Sequence, residues 1–110
     1  MKLPNGDRAV VDPRKLTEYC LNPDHGDGRH KARVFAAALG FTIADADTLR
    51  ALLIRAAREE DARPAGSKGY GERFVIDFRV DGPGGSAVVR SAWEVRPEDV
   101  LPHLMTCYVR

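Results

Sequence analysis

The sequence predicts an α+β domain, with N-terminal helices packed on one face of a C-terminal antiparallel sheet of three to four strands. Three observations carry that reading. Apolar residues recur at helical spacing from about Arg29 to Glu60. From Arg73 the period drops to two, with Phe74, Ile76, Phe78 and Val80 alternating with Arg73, Val75, Asp77 and Arg79. The chain has 110 residues, enough for one hydrophobic core and too few for two ordinary domains, so residues 1–110 read as a single unit.

The first helix is expected at Asp12-Pro13, an N-cap aspartate followed by a proline where a missing N–H costs nothing. It runs from Arg14 to Leu21, with Leu16, Tyr19 and Cys20 on one side, until Asn22-Pro23-Asp24-His25-Gly26-Asp27-Gly28 breaks it. A second helix spans about Arg29 to Leu39. Its later turns (Val34, Phe35, Ala36, Ala37, Ala38, Leu39) are apolar nearly all round, which predicts deep burial, and Gly40 is its natural C′ residue. Thr42 and Asp45 form a capping box, aspartate replacing the usual glutamate, that opens a third helix to about Glu60. Its core stripe is Ile43, Ala46, Leu49, Leu52, Leu53 and Ala56.

Asp61 to Gly69, rich in Pro, Gly, Ser and Lys, reads as a mobile loop. After the Phe74–Val80 strand, Asp81 to Gly85 is a hairpin turn. A second strand follows over about Ser86 to Arg96, and a third over about Leu104 to Val109. With Phe74, Ile76 and Phe78 inward, the core also takes Ala87, Val89, Ser91, Trp93 and Val95, then Met105, Cys107 and Val109. The open face then carries Arg73, Asp77, Arg79, Arg90, Glu94, Thr106 and Tyr108. A one-residue slip in register would exchange those lists.

Composition narrows the function classes. The 44% hydrophobic and 30% charged content is that of a soluble globular chain. No apolar run approaches the roughly 20 residues of a membrane span, and the polar N-terminus does not read as a signal peptide, so a cytoplasmic address is expected. Net charge is +1, 17 basic against 16 acidic residues, so a polyanionic partner can be argued only from local clustering. Cys20 and Cys107 form no disulfide framework and read as small, half-buried, reduced hydrophobes.

One cluster stands out. His25-Gly26-Asp27-Gly28-Arg29-His30-Lys31-Ala32-Arg33 is a glycine-containing loop entering a helix N-terminus, where backbone N–H groups and the macrodipole favour an anion. Cations in that first turn oppose the dipole unless a phosphate or carboxylate is present, which assigns phosphate or substrate binding to His25, Gly28, Arg29 and Arg33. The bland alternative is a solvated turn capped by Asp27. His30 is the best acid–base group, because histidine titrates near neutrality. Lys31 and Arg90 would stabilise phosphate charge, and Thr106 or Tyr108 would position it. His103 reads as a surface residue. Cys20, His25, His30 and Cys107 are suitable zinc ligands by type but match no familiar zinc spacing, and no acidic cluster suggests magnesium or calcium. No metal and no cofactor is expected.

Two stretches resemble an uncharacterised bacterial family of small domains. They are Tyr19 to His25 continuing through Gly28-Arg-His-Lys-Ala-Arg-Val-Phe35, and Val89-Arg-Ser-Ala-Trp93 with Thr106-Cys-Tyr-Val109. With the Leu3-Pro-Asn opening, the resemblance spans nearly the whole chain. It implies either a stand-alone protein beside a small companion gene or a domain at the end of a large polymorphic toxin. More remotely, the order of elements is similar to that of the barnase, EndoU, colicin and RelE-like ribonucleases, whose catalytic groups lie on the uncovered sheet face and adjoining helix. A loop written Asn-Pro-x-His-Pro-x-Gly in such domains reads Asn22 to Gly28 here, with Gly26 in place of the second proline.

Two functional expectations follow. One is a metal-independent ribonuclease, of toxin–antitoxin or polymorphic-toxin type, using His30, Lys31, Arg90, Thr106 and Tyr108. The other is a non-catalytic binding module for RNA or for a small antitoxin or immunity-type protein, with no membrane partner.

Overall fold

A computed structural model describes residues 1–67 and 71–110. Helices α1 (Arg29–Leu39) and α2 (Ala46–Glu59) precede four antiparallel strands, β1 (Arg63–Ser67), β2 (Glu72–Gly82), β3 (Gly85–Arg96) and β4 (Asp99–Val109). Among the described residues these form one sheet in the order β1-β2-β3-β4, so the chain is α+β with its sheet in the C-terminal half. No helix among the described residues is long and apolar enough to cross a membrane.

Local chemistry sets the helix limits. Asp12 Oδ1 accepts the Arg14 N–H at 3.0 Å, and the turn that follows widens into a π-helical segment, Leu16–Cys20. Gly40 ends α1 at φ 74, and a Cβ there would lie 2.9 Å from the Gly84 backbone nitrogen, so the helix end and the β2–β3 turn approach as only glycine allows. Thr42 and Asp45 make the reciprocal capping box, followed by a single 3₁₀ turn and then α2.

One sheet face is covered. Phe74, Ile76, Phe78, Val80, Val89, Trp93, Leu104 and Cys107 pack against Leu16, Cys20, Phe35, Leu39, Leu49 and Leu53. α1 lies over β3 and β4, and α2 reaches β2. Ser91 is the buried polar side chain of this layer. It accepts the Trp93 indole N–H at 2.9 Å and donates to the Ile76 carbonyl at 3.1 Å, which meets the need of a buried indole for a partner.

The structure revises five expectations of the fold. Ile43, expected in the core stripe of the third helix, lies in the 3₁₀ turn before α2 and is 41% exposed. Arg63–Ser67, read as part of a loop, is strand β1; residues 68 and 69 of that stretch lie outside the described residues. Pairing with β2 makes it extended despite Pro64 and Gly66, and both are tolerated on an edge strand. β4 begins at Asp99, well before Leu104, and carries Pro102 on the opposite edge, where the Pro102 carbonyl accepts the Val10 N–H at 2.9 Å. An irregularity between β3 and β4 sets Trp93 opposite Leu104 and Ala92 opposite Thr106, so Leu104 takes the core place expected of Met105. α1 buries only Ala32, Phe35 and Leu39: Ala36 and Ala37 are exposed and Val34 is 43% exposed, because one covered sheet occupies one side of a helix.

Candidate functional site

The seam between the α1 start and β4 collects much of the predicted chemistry. A cavity of about 370 Å³ is lined by His30, Lys31, Val34, Tyr108 and Val109. His30 is exposed in the first helical turn. Lys31 Nζ donates to the Tyr19 hydroxyl at 2.7 Å and lies 4.7 Å from the Tyr19 ring centroid. The Tyr19 hydroxyl, opposed by partial burial, holds the Lys31 pKa above its ordinary value, so this amine stays an ammonium.

Tyr108 connects the seam to the open sheet face. It pairs across the strands with Arg90, and Arg90 pairs on its other side with Asp77. Arg90 donates to both Asp77 oxygens, Nε at 2.8 Å and Nη2 at 2.9 Å, in the planar two-point geometry peculiar to guanidinium. Asp77 also accepts from Arg110 at 3.0 Å and Arg63 at 3.3 Å. The Arg90 hydrogen bonds, ahead of the opposing desolvation and the charges of Arg90, Arg110 and Arg63, pull the Asp77 carboxyl below its usual range. Asp77, followed after desolvation by the Tyr108 hydroxyl, pushes Arg90 up. Three guanidinium groups thus surround one carboxylate, a local surplus of positive charge. The bonds to Asp77 engage two N–H groups of Arg90 and one each of Arg63 and Arg110, out of five per side chain.

The other predicted residues lie elsewhere. Thr106 lies on the edge strand β4 with Oγ1 3.7 Å from the Cys20 sulfur, and it lines a cavity of about 630 Å³ with Tyr19, His25 and Met105. His25 Nδ1 accepts the backbone N–H groups of Asp27 at 3.0 Å and Gly28 at 2.8 Å, so His25, not Asp27, organises the loop entering α1. Its ring meets Tyr19 edge-on at 4.9 Å. Gly28 is buried, and a Cβ there would lie 2.2 Å from the Tyr19 carbonyl oxygen; close packing accounts for this glycine. Arg29 donates to the Gly26 carbonyl. With Arg33 it lines a separate groove beside Leu21, Phe41 and Thr42. Lys31 and Arg29 therefore answer the unfavourable helix dipole through Tyr19 and Gly26, partners within the chain.

Two juxtapositions were not read from the sequence. Cys20 and Cys107 come together at the β4 edge, fully buried and not half-buried as expected. His103 Nε2 lies 2.7 Å from Asp99 Oδ2 in a cavity of about 510 Å³ shared with Glu94 and Asp12. The i,i+4 spacing of that pair on a strand carries no sequence signal; it accompanies a register irregularity in the β3–β4 pairing between Glu94 and Arg96. Among the described residues, no group of three or more His, Cys, Asp or Glu side chains is placed to hold a metal ion.

The chain belongs to the family described as a domain of unknown function, DUF6883, whose model matches residues 2–110. No curated protein and no solved structure matches it.

Proposed function

We propose that this member of the family binds the phosphodiester backbone of RNA across the seam between α1 and the open sheet face, and cleaves it without a metal. The observation that carries the reading is the placement of Tyr108, which lines one cavity with His30 and Lys31 and touches Arg90 on the sheet. His30 accepts the proton of a ribose 2′-hydroxyl as that oxygen attacks the adjacent phosphorus. The P–O5′ bond breaks, the leaving oxygen takes a proton from the Tyr108 hydroxyl or from solvent, and a 2′,3′-cyclic phosphate remains. Lys31, held as an ammonium by Tyr19, and Arg90, held in orientation by Asp77, supply fixed positive charge as negative charge grows on the phosphoryl oxygens. Thr106 leaves the set of positioning groups, since its hydroxyl faces Cys20. A toxin-type role with a small cognate inhibitor fits such an activity.

Incubation of the purified chain with tRNA in EDTA tests this. Cleavage with cyclic-phosphate ends is expected, slowed about 10²–10⁴-fold by His30→Ala. No cleavage of any RNA tested, or undiminished cleavage by His30→Ala, overturns it.

A second reading, a non-catalytic module for a small protein partner, has its own support. Val34 and Ile43 are 43% and 41% exposed, and the groove of about 400 Å³ beside Ile43 is lined by Leu21, Pro23, Ala32, Ala36 and Phe41. RNA affinity that does not fall with salt would favour it over a phosphate-dominated contact.

A further inference from the structure

Cys20 closes the π-helical turn and Cys107 lies on β4; both are free thiols, and both are buried. Cysteines kept only for packing need apolar neighbours. The Cys20 sulfur, besides its core contacts, has polar partners: the thiol and backbone N–H of Cys107 hydrogen-bond to it, and the Thr106 hydroxyl lies 3.7 Å away, where either group can donate. The Lys31 ammonium adds positive charge from the α1 side. These are the partners a thiolate requires. π-Helical turns recur at functional sites, because the widened turn aims side chains and backbone where a regular helix would not. The cavity lined by Tyr19, His25, Met105 and Thr106 runs along two residues that flank the buried Cys20, its chain neighbour Tyr19 and its hydrogen-bond partner Thr106.

We propose that Cys20 and Cys107 form an oxidisable dithiol site for small hydroperoxides, with Cys20 as the attacking sulfur and Cys107 as the resolving one. The Cys20 thiolate attacks one peroxide oxygen and the O–O bond breaks. The released alkoxide takes up a proton and leaves as an alcohol (water, for hydrogen peroxide), and Cys20 becomes a sulfenic acid. The Cys107 sulfur then attacks the Cys20 sulfur, an S–S bond forms, and the hydroxyl leaves as water with the Cys107 proton. Two thiols are oxidised by two electrons and one hydroperoxide is reduced. The division of labour agrees with the proton affinities. Cys20 is held at about 6, chiefly by the Cys107 thiol and against desolvation, while Cys20 and burial push Cys107 well above the ordinary thiol value. The charged and titratable groups nearest the pair are Lys31 and Tyr19; His25, Asp12, Arg14, Lys15 and Glu18 line the adjoining cavity.

The experiment uses the intact chain treated with hydrogen peroxide near neutral pH, followed by intact mass and non-reducing peptide mapping. Loss of two hydrogens and a Cys20–Cys107 peptide, both reversed by dithiothreitol, are expected. In Cys107→Ser, dimedone should trap a sulfenic acid at Cys20, and in Cys20→Ser the remaining thiol should resist peroxide. In case a variant fails to fold, the wild-type chain is also alkylated with limiting iodoacetamide and mapped. Cys20 is expected to react about tenfold or more ahead of Cys107. Cys107 reacting first or equally, or both thiols staying inert to peroxide until urea unfolds the chain, would overturn the proposal.

Discussion

The two faces of the sheet solve the burial of polar groups in opposite ways. On the covered face the polar side chain is Ser91, and it is satisfied completely within the core, taking the Trp93 N–H and giving its own proton to the Ile76 carbonyl. On the open face, Asp77 is shared by Arg63, Arg90 and Arg110, so the carboxylate is saturated and the cations are not. A saturated network specifies a core, whereas an under-neutralised one leaves affinity for an anion. The same strands thus carry a closed polar network on one side and an excess of cationic groups on the other.

Breaking the covered face should have the largest effect. Trp93→Ala removes the largest fully buried side chain and is expected to destabilise the fold by about 3–5 kcal/mol, read by urea denaturation. Gly28→Ala forces a Cβ against the Tyr19 carbonyl at 2.2 Å and should cost about 1–3 kcal/mol in the same assay, with the π-helical turn displaced. Ser91→Ala strands the Trp93 N–H at a cost of about 1–3 kcal/mol, leaving RNA affinity unchanged.

Changes on the open face should be smaller in stability and larger in binding. Asp77→Asn is expected to cost roughly 1 kcal/mol while strengthening RNA binding at low salt, because the carboxylate that offsets the arginines is gone. Weaker binding would show that Asp77 chiefly positions Arg90. The pH dependence has a definite sign. The folded-state pKa of Asp77 lies below its ordinary 3.8, so its contribution is complete above that value and is lost as pH falls through the lowered one. Acid titration of Tm should therefore show wild type and Asp77→Asn converging below about pH 4; a constant gap would rule out this linkage.

Features decided within a few residues were legible in the sequence: the limits of α1, the Thr42–Asp45 box, the turn after Asp81 and the inward set Phe74, Ile76 and Phe78. Features decided by pairing were not. Arg63–Ser67 has the composition of a loop and is extended because β2 lies beside it. The displacement of Met105 by Leu104 depends on a register irregularity that no local pattern announces. The placement of the candidate residues divides in the same way. His30, Lys31 and Tyr108 meet, and Arg90 adjoins them, whereas Arg29 and Arg33 fall on another side of α1 and Thr106 turns to Cys20. The meeting of Cys20 with Cys107, and of Asp77 with three arginines, joins residues too distant in the chain for spacing to reveal.

Val10 donates to the Pro102 carbonyl, and its own carbonyl accepts the Leu104 N–H at 3.0 Å, a short parallel bridge to β4. That pairing has a consequence for the order of assembly. During synthesis the segment around Val10 precedes both helices and three strands, and this partner is missing until β4 has been made. The helical half therefore stays incompletely docked until β4 follows. Closing so long a loop is slow, and a chain held open for that interval is the form most exposed to proteases and to wrong partners.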